Sequence, residues 1–292
     1  MIQHFLRDDD LTPAQQGEVL ALAAAMKKDR FGYRPLEGPR AVPVLFDKPS
    51  LRTRVSFQVG IQRLGGTSVA LAEGDVQIGV REPVADAARV LERYVDLIVA
   101  RLRRHADLVE LAHSASVPVI NALTELEHPC QVLADLLTIS ERCGSLEVPV
   151  AFVGDGNNMV TSLAHAQALL GFPFTVVTPP GYEPSETVRR FAPKMQVSNY
   201  LAAVAGAKVL YTDVWTSMGF EDETQQRRAD FAGYRVDAAL MDRAPGAVFL
   251  HCLPAHRGEE VTDEVIDGPS SAVFDQAENR LHAQMALMSL LI

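Results

Sequence analysis

The sequence predicts an α/β protein of two doubly wound parallel-sheet domains, joined by a hinge helix and by a C-terminal helix that returns to the first domain. Two observations carry this. Short, near-continuous apolar runs alternate with amphipathic helical patterns, the signature of parallel strands covered on both faces. The alternation also runs through two rounds in 292 residues, a length that suits two cores better than one.

The elements follow in order. Thr12 is placed to cap the first helix, with Pro13 in its first turn and Gln15 at capping-box spacing. Val19, Leu22, Ala23 and Met26 then form an apolar stripe. Strands are expected at 41–46, 67–72, 96–101 and 117–121, with helices near 52–64, 83–94 and 106–114 between them. The pattern from His128 to Cys143 is the candidate hinge helix. The second round places strands at 148–153, 174–178, 208–212 and 247–250, and helices near 158–170, 185–192, 199–206 and 235–243. Residues 216–232 are polar, with little apolar periodicity, and read as a loop of the kind that forms lids. The last helix, about 276–291, has no strand after it and is free to pack on the first half. The expected domains are 1–130 with 276–292, and 131–275.

Composition narrows the function classes. A net charge of −10 with no basic stripe argues against nucleic-acid or membrane-surface binding. Three cysteines without a CxxC pair make neither a disulfide framework nor a zinc ribbon, and a reducing cytoplasm is the simplest home. No apolar export leader and no apolar run of 18 residues is present, so neither export nor a membrane span is expected. There is no P-loop, and no HExxH or paired Cys/His spacing asks for a metal.

Ligands of open α/β sheets bind at the carboxyl ends of strands, where the unusual residues of this chain fall. "SLRTR" (50–54) lies at the junction of a strand and a helix. The N–H groups and dipole of a helix N-terminus suit phosphate, and arginines add forked hydrogen bonds. The plain alternative is a serine cap followed by solvated arginines. Arg101 ends the third strand, where a surface arginine is the commoner case. His128 and Gln131 stand three apart at a helix start and share a face. "VGDGNNM" (153–159) lacks the third glycine of a dinucleotide site, and its asparagines suit a substrate backbone. "TDVWTSMG" (212–219) and "HCLPAHRGEE" (251–260) follow later strands. A buried cysteine is usually inert packing, but Cys252 sits between His251 and Leu253-Pro254 at a strand end.

Together these motifs resemble those of the ornithine carbamoyltransferase family, in the family's order and across nearly the whole chain. Ser50 to Arg54 is similar to its SxRTR motif, His128 to Gln131 to HPxQ, Asp213 to Gly219 to DxWxSMG, and His251 to Pro254 to HCLP. The first two are shared with aspartate carbamoyltransferases; SMG and HCLP are the ornithine-specific pair. The resemblance implies a first domain for carbamoyl phosphate, a second for the amino acid, and a homotrimer with active sites at subunit interfaces. It implies that Ser50, Leu51, Arg52, Thr53, Gln77, Arg101, His128, Gln131 and Arg280 hold carbamoyl phosphate, Gln77 from a neighbouring subunit. Asn158, Asp213, Ser217, Met218, Cys252 and Leu253 would hold ornithine, and Arg52, Arg101, His128 and Cys252 would carry the chemistry. No cofactor or metal is implied, and citrulline made in arginine metabolism would be the product. The same fold with another amine, such as putrescine, lysine or N-acetylornithine, is the alternative. Leu51 departs from the threonine of many members, and the stretch 189–199 is short for the family.

Overall fold

The computed structural model describes residues 2–38, 40–71, 78–216 and 221–292, with the Glu221 side chain left aside. The chain divides into two units, residues 1–134 with 278–292, and residues 135–277.

In the first unit, Thr12 caps α1 (Pro13–Lys28) as its spacing predicts: its hydroxyl accepts from Gln15 N, and Gln15 Oε1 accepts from Thr12 N. Four strands follow, β1 (Ala41–Phe46), β2 (Thr67–Ala70), β3 (Ile98–Arg101) and β4 (Val119–Leu123). They alternate with α2 (Leu51–Arg63), α3 (Val84–Leu91) and α4 (His105–Ser114). The sheet order is β2-β1-β3-β4, all parallel. The fourth strand starts two residues later than the pattern suggests and runs on to Leu123. Phe5 lies along its outer edge, giving its N–H to Val119 O and accepting from Asn121 N.

The chain leaves this unit within α5 (Pro129–Cys143). The second unit holds β5 (Val150–Val153), α6 (Asn158–Leu170), β6 (Phe174–Val177), α7 (Glu186–Phe191), β7 (Gln196–Ser198) and β8 (Val209–Thr212). After these come α8 (Thr224–Phe231), α9 (Ala238–Met241), β9 (Val248–His251) and α10 (Asp263–Ile266). Its sheet is also parallel, in the order β7-β6-β5-β8-β9. Its core packs Val153, Val177, Leu210 and Phe249 against Leu240, Val265 and Val273. The chain re-enters the first unit within α11 (Val273–Leu291). There Gly60 of α2 admits α11 closely, since a Cβ would meet Met285 Cγ at 3.1 Å.

Three expectations are corrected. The strand β7 is unforeseen; three residues, one exposed and two half-buried, give too short an alternation to read. The helix expected at 199–206 is a single 3₁₀ turn, Leu201–Val204. Within the polar stretch 216–232, the described residues from 221 on are helical: a 3₁₀ turn (Glu221–Glu223) leads into α8, anchored by buried Arg227 and Phe231. Gln77, Ser217 and Met218 lie outside the described residues.

Candidate active site

Sheet order explains where the unusual residues gather. In the first unit the chain goes from β1 outward to β2, then returns past β1 to β3. The carboxyl ends of β1 and β3 therefore flank a topological switch point, the ligand crevice of open α/β sheets. Phe46, the last residue of β1, pairs in register with Arg101. The Arg101 guanidinium turns across this gap and donates to Ser50 Oγ at 3.2 Å. Ser50 occupies the cap position of α2 but its side chain makes no capping bond. The plain serine-cap reading is thus replaced by an arginine–serine pair at the mouth of the helix. Leu51, the first residue of α2, points its side chain outward, and Arg52 is exposed. Arg54 is a scaffold residue: it donates to Leu71 O at 3.2 Å and lies over the Phe46 ring.

A second arginine approaches from α11. Arg280 is buried and donates to Gln131 Oε1 at 2.6 Å and to Thr53 Oγ1 at 3.2 Å, tying the first turns of α2 and α5 together. His128 stands just before α5 and is buried. Burial, then the positive charges of Arg280, Arg101 and Arg52, hold its imidazole well below the ordinary 6.5. The ring is therefore a neutral donor or acceptor at working pH. Cys130, by contrast, donates to Asn121 O from full burial, and its thiol is pushed up to about 12, which makes it packing.

His128 has a consequence for folding. The folded state binds fewer protons than the unfolded one wherever a histidine pKa is lowered, so stability rises with pH there. The contribution is complete above the unfolded value of about 6.5 and is lost as pH falls below it. His4, His105 and His282 are lowered mainly by burial and act in the same direction. Unfolding free energy should fall between pH 7 and 5 in denaturant titrations, and His128→Asn should make that fall shallower. An identical slope in the variant would contradict the neutral buried ring.

The second unit repeats the logic. The chain runs β5, β6, β7 on one side and returns to β8 on the other, so its switch point lies between the carboxyl ends of β5 and β8. Asn157, after β5, caps α6 through Met159 N and Val160 N, and its Nδ2 donates to Asp213 Oδ2 at 3.0 Å. Asp213, after β8, also accepts from Val214 N at 2.8 Å and from the Cys252 thiol at 2.9 Å. Cys252 follows β9. Leu253 beyond it takes a left-handed φ of 56° and gives its N–H to His251 Nδ1 at 2.8 Å. With Nδ1 accepting, the ring proton sits on Nε2 and points at Glu260 Oε1, 3.1 Å away. Two hydrogen-bonded pairs, Cys252 with Asp213 and His251 with Glu260, thus sit side by side at the ends of β8 and β9, joined through the main chain.

Asp213, His251 and Cys252 are also close enough to share a cation. Both imidazole nitrogens are already engaged, however, by Glu260 and the Leu253 N–H, so the arrangement reads as hydrogen-bonded scaffolding. A second such group, His256, Glu259 and Glu260, is partly tied by Arg228, which binds Glu259.

Sequence reasoning named Asp213 and Cys252 and read Asn157 as a grip on a substrate backbone, without its bond to Asp213; it missed Glu260. Asn157 was legible as a helix cap in "GNNM"; nine residues of separation hid Glu260 from His251. It also missed Arg227. This buried guanidinium donates to Asp155 Oδ2 at 2.7 Å, Glu223 Oε2 at 2.8 Å and Trp215 O at 3.0 Å, and lies over the Tyr182 ring. Burial pushes the Asp155 carboxyl up and Arg227 opposes that shift. Arg227→Met should cost about 3–5 kcal/mol in unfolding free energy, because it leaves Asp155 charged and buried without a partner. A loss under 1 kcal/mol in urea titration would contradict this.

The chain matches two family models: the carbamoyl-P binding domain of aspartate/ornithine carbamoyltransferases over residues 3–141, and their Asp/Orn binding domain over residues 146–291. The chain belongs to the aspartate/ornithine carbamoyltransferase family. Within it, the chain is similar to the ornithine carbamoyltransferase of Acidothermus cellulolyticus, 54% identical over all of this chain and 97% of that protein. The solved ornithine carbamoyltransferase of Pyrococcus furiosus superposes with a TM-score of 0.94 at 45% identity, covering 99% of this chain and 97% of that one. That of Thermus thermophilus gives 0.92 at 44% identity, covering 100% and 99%. Ser50, Arg101 and His128 fall in the first matched family domain, and Asp213 and Cys252 in the second.

Proposed function

We propose that the chain is an ornithine carbamoyltransferase: it moves the carbamoyl group of carbamoyl phosphate to the δ-amine of L-ornithine, giving L-citrulline and phosphate. The observation that carries this is that the chain holds a cationic switch point in the first unit and, in the second, a carboxylate–thiol pair, Asp213 and Cys252.

Ser50, Leu51, Arg52 and Thr53 hold the phosphate at the start of α2, where free helical N–H groups and the dipole add to the arginine charge. Leu51 contributes its N–H, and its exposed side chain plays no part in that. Arg101, His128 and Gln131 hold the carbamoyl group, and Arg280 steadies Gln131 and Thr53. Asp213 takes the α-ammonium of ornithine, with Asn158, Ser217 and Met218 on the rest of its backbone and Cys252 and Leu253 beside the δ-amine.

The neutral δ-amine attacks the carbonyl carbon and a C–N bond forms. The carbonyl oxygen gains charge, which Arg101 and neutral His128 stabilise as oxyanion donors worth roughly 3–4 kcal/mol each. The C–O bond to phosphate then breaks, the nitrogen gives up a proton to the departing phosphate, and Arg52 with the helix N-terminus takes up the remaining charge of that phosphate. The amine, with a pKa of about 10.4 by analogy to lysine, must lose its first proton before attack. Partial burial beside Cys252 and Leu253 favours that loss, so the rate should climb toward alkaline pH.

The protein works as a homotrimer, with Gln77 serving a neighbouring subunit. Supporting this, Leu51 and Val80 in the first unit are 77% and 85% exposed, and Val55 and the edge strand β2 also present apolar surface. No helix among the described residues is long and apolar enough to cross a membrane. Cys130, Cys143 and Cys252, none of them in a disulfide, suit a reducing cytoplasm, where citrulline formation serves arginine metabolism.

The test is a citrulline assay with carbamoyl phosphate and L-ornithine, run beside putrescine, L-lysine, N-acetylornithine and L-aspartate. Turnover with ornithine alone is expected. Preference for another amine would keep the anion site and overturn the assignment of the second substrate.

A further inference from the structure

The last strand of the second sheet ends in an unusual way. β9 is an edge strand, with β8 on one side only. Along its outer edge a short main-chain segment completes the ladder: Phe249 N donates to Ser270 O, and Ala272 N donates back to Phe249 O. The chain then turns into α11, and the next outward N–H, that of His251, has no strand beside it. A side chain takes over. Gln276 Oε1 accepts from His251 N at 2.9 Å, at the point where β9 gives way to Cys252.

The amide of Gln276 cannot turn freely. The residue is fully buried, and its Nε2 donates to Asp135 Oδ1 at 2.7 Å and to the Tyr211 hydroxyl at 3.0 Å. Tyr211 is itself buried and donates to Asp135. A buried carboxylate and a buried phenol fix which end of the amide is the donor, and so which end faces His251. Asp135 lies on α5, Tyr211 on β8 and Gln276 on α11, so one side chain ties three elements to the end of a fourth.

We infer that Gln276 is a positioning residue for the amine half of the reaction: by holding the His251 main chain, it sets the approach of Cys252 to Asp213. This rests on the ornithine reading above and goes beyond it. Gln276 touches no substrate. Its effect passes through the His251 backbone to a tight turn, where Leu253 is left-handed and returns its N–H to the His251 ring. A small shift at His251 therefore moves the thiol and the Leu253 main chain together. The groups that face Gln276 are Asp135, Tyr211 and the His251 main chain, with Cys252 and Asp213 acting electrostatically on Tyr211.

The test compares Gln276→Leu with Gln276→Glu in steady-state citrulline assays at pH 6.5, alongside wild type and with thermal melts. Leucine keeps the bulk and removes the acceptor. Glutamate keeps the acceptor, and the buried carboxyl beside Asp135 retains a proton that stands in for the Nε2 donor. Gln276→Leu should lose at least tenfold in kcat/KM for ornithine with the KM for carbamoyl phosphate unchanged. Gln276→Glu should stay within about threefold of wild type. Equal losses in both folded variants, an unaffected leucine variant, or a carbamoyl-phosphate KM that rises in step with ornithine's would overturn the inference. If leucine prevents folding, a folded glutamate variant decides: retained turnover supports the role, and a tenfold loss overturns it. A wild type that makes no citrulline overturns the reaction itself, and the inference with it.

Discussion

Replacing Arg101 by Met is expected to lower kcat/KM for carbamoyl phosphate by about 10³-fold, while unfolding shifts little. Arg101 closes β3 and reaches across the first switch point to Ser50 Oγ, so its guanidinium is aimed where the ligand anion would sit. Loss of one oxyanion donor costs 10²–10³ in comparable sites, and a charged donor sits at the upper end of that range. Arg101→Lys should recover little, because an ammonium has no planar fork with which to reach Ser50 and a carbonyl oxygen together. A loss smaller than tenfold would remove Arg101 from the chemistry and leave it as a strut for Ser50.

Asp213→Asn should produce a loss of similar size, confined to the amino acid. Its carboxylate is held from three sides, by Asn157 Nδ2, Val214 N and the Cys252 thiol. These donors fix where the carboxylate points, and in the role proposed above it would meet the α-ammonium of ornithine. Asparagine keeps the shape and removes the charge. KM for ornithine should rise by two to three orders of magnitude, and binding of carbamoyl phosphate alone, measured by calorimetry, should be unchanged. An equal loss for both ligands would point to collapse of the β8 end, with no specific role for the charge.

Much of this was legible in the chain, for a physical reason. Parallel strands buried on both faces write themselves as apolar runs, and the polar residues that interrupt them at the carboxyl ends stand out. What one dimension hides is adjacency. Nothing between residues 50 and 101 says that β3 returns beside β1, yet that return brings Arg101 to Ser50. The same holds for Asn157 and Asp213, and for Gln276 and His251. "VGDGNN" lacks the third glycine of a dinucleotide loop, and its two glycines have other uses. Its glycines look like those of a nucleotide loop, but Gly154 takes a φ of 151° that side chains rarely adopt, and a Cβ on Gly156 would run into the Pro184 backbone. They are there for turning and close packing. Residues 216–232 failed differently. Their charge looked like solvated loop, but Arg227 is charged and buried at once, which composition alone cannot distinguish.

The gathering of Arg52, Arg101 and Arg280 around His128 has a consequence at a distance. The protein carries a net charge of −10, so an approaching phosphate dianion first meets repulsion, and attraction takes over only within the last few ångströms. Ornithine, with a net positive charge, meets the reverse. Because mobile ions screen charges beyond a Debye length of about 8 Å in physiological salt, added salt weakens the far field more than the near one. The two substrates should therefore respond oppositely to ionic strength: encounter with the anion quickens as the repulsive halo is screened, and encounter with the amino acid slows.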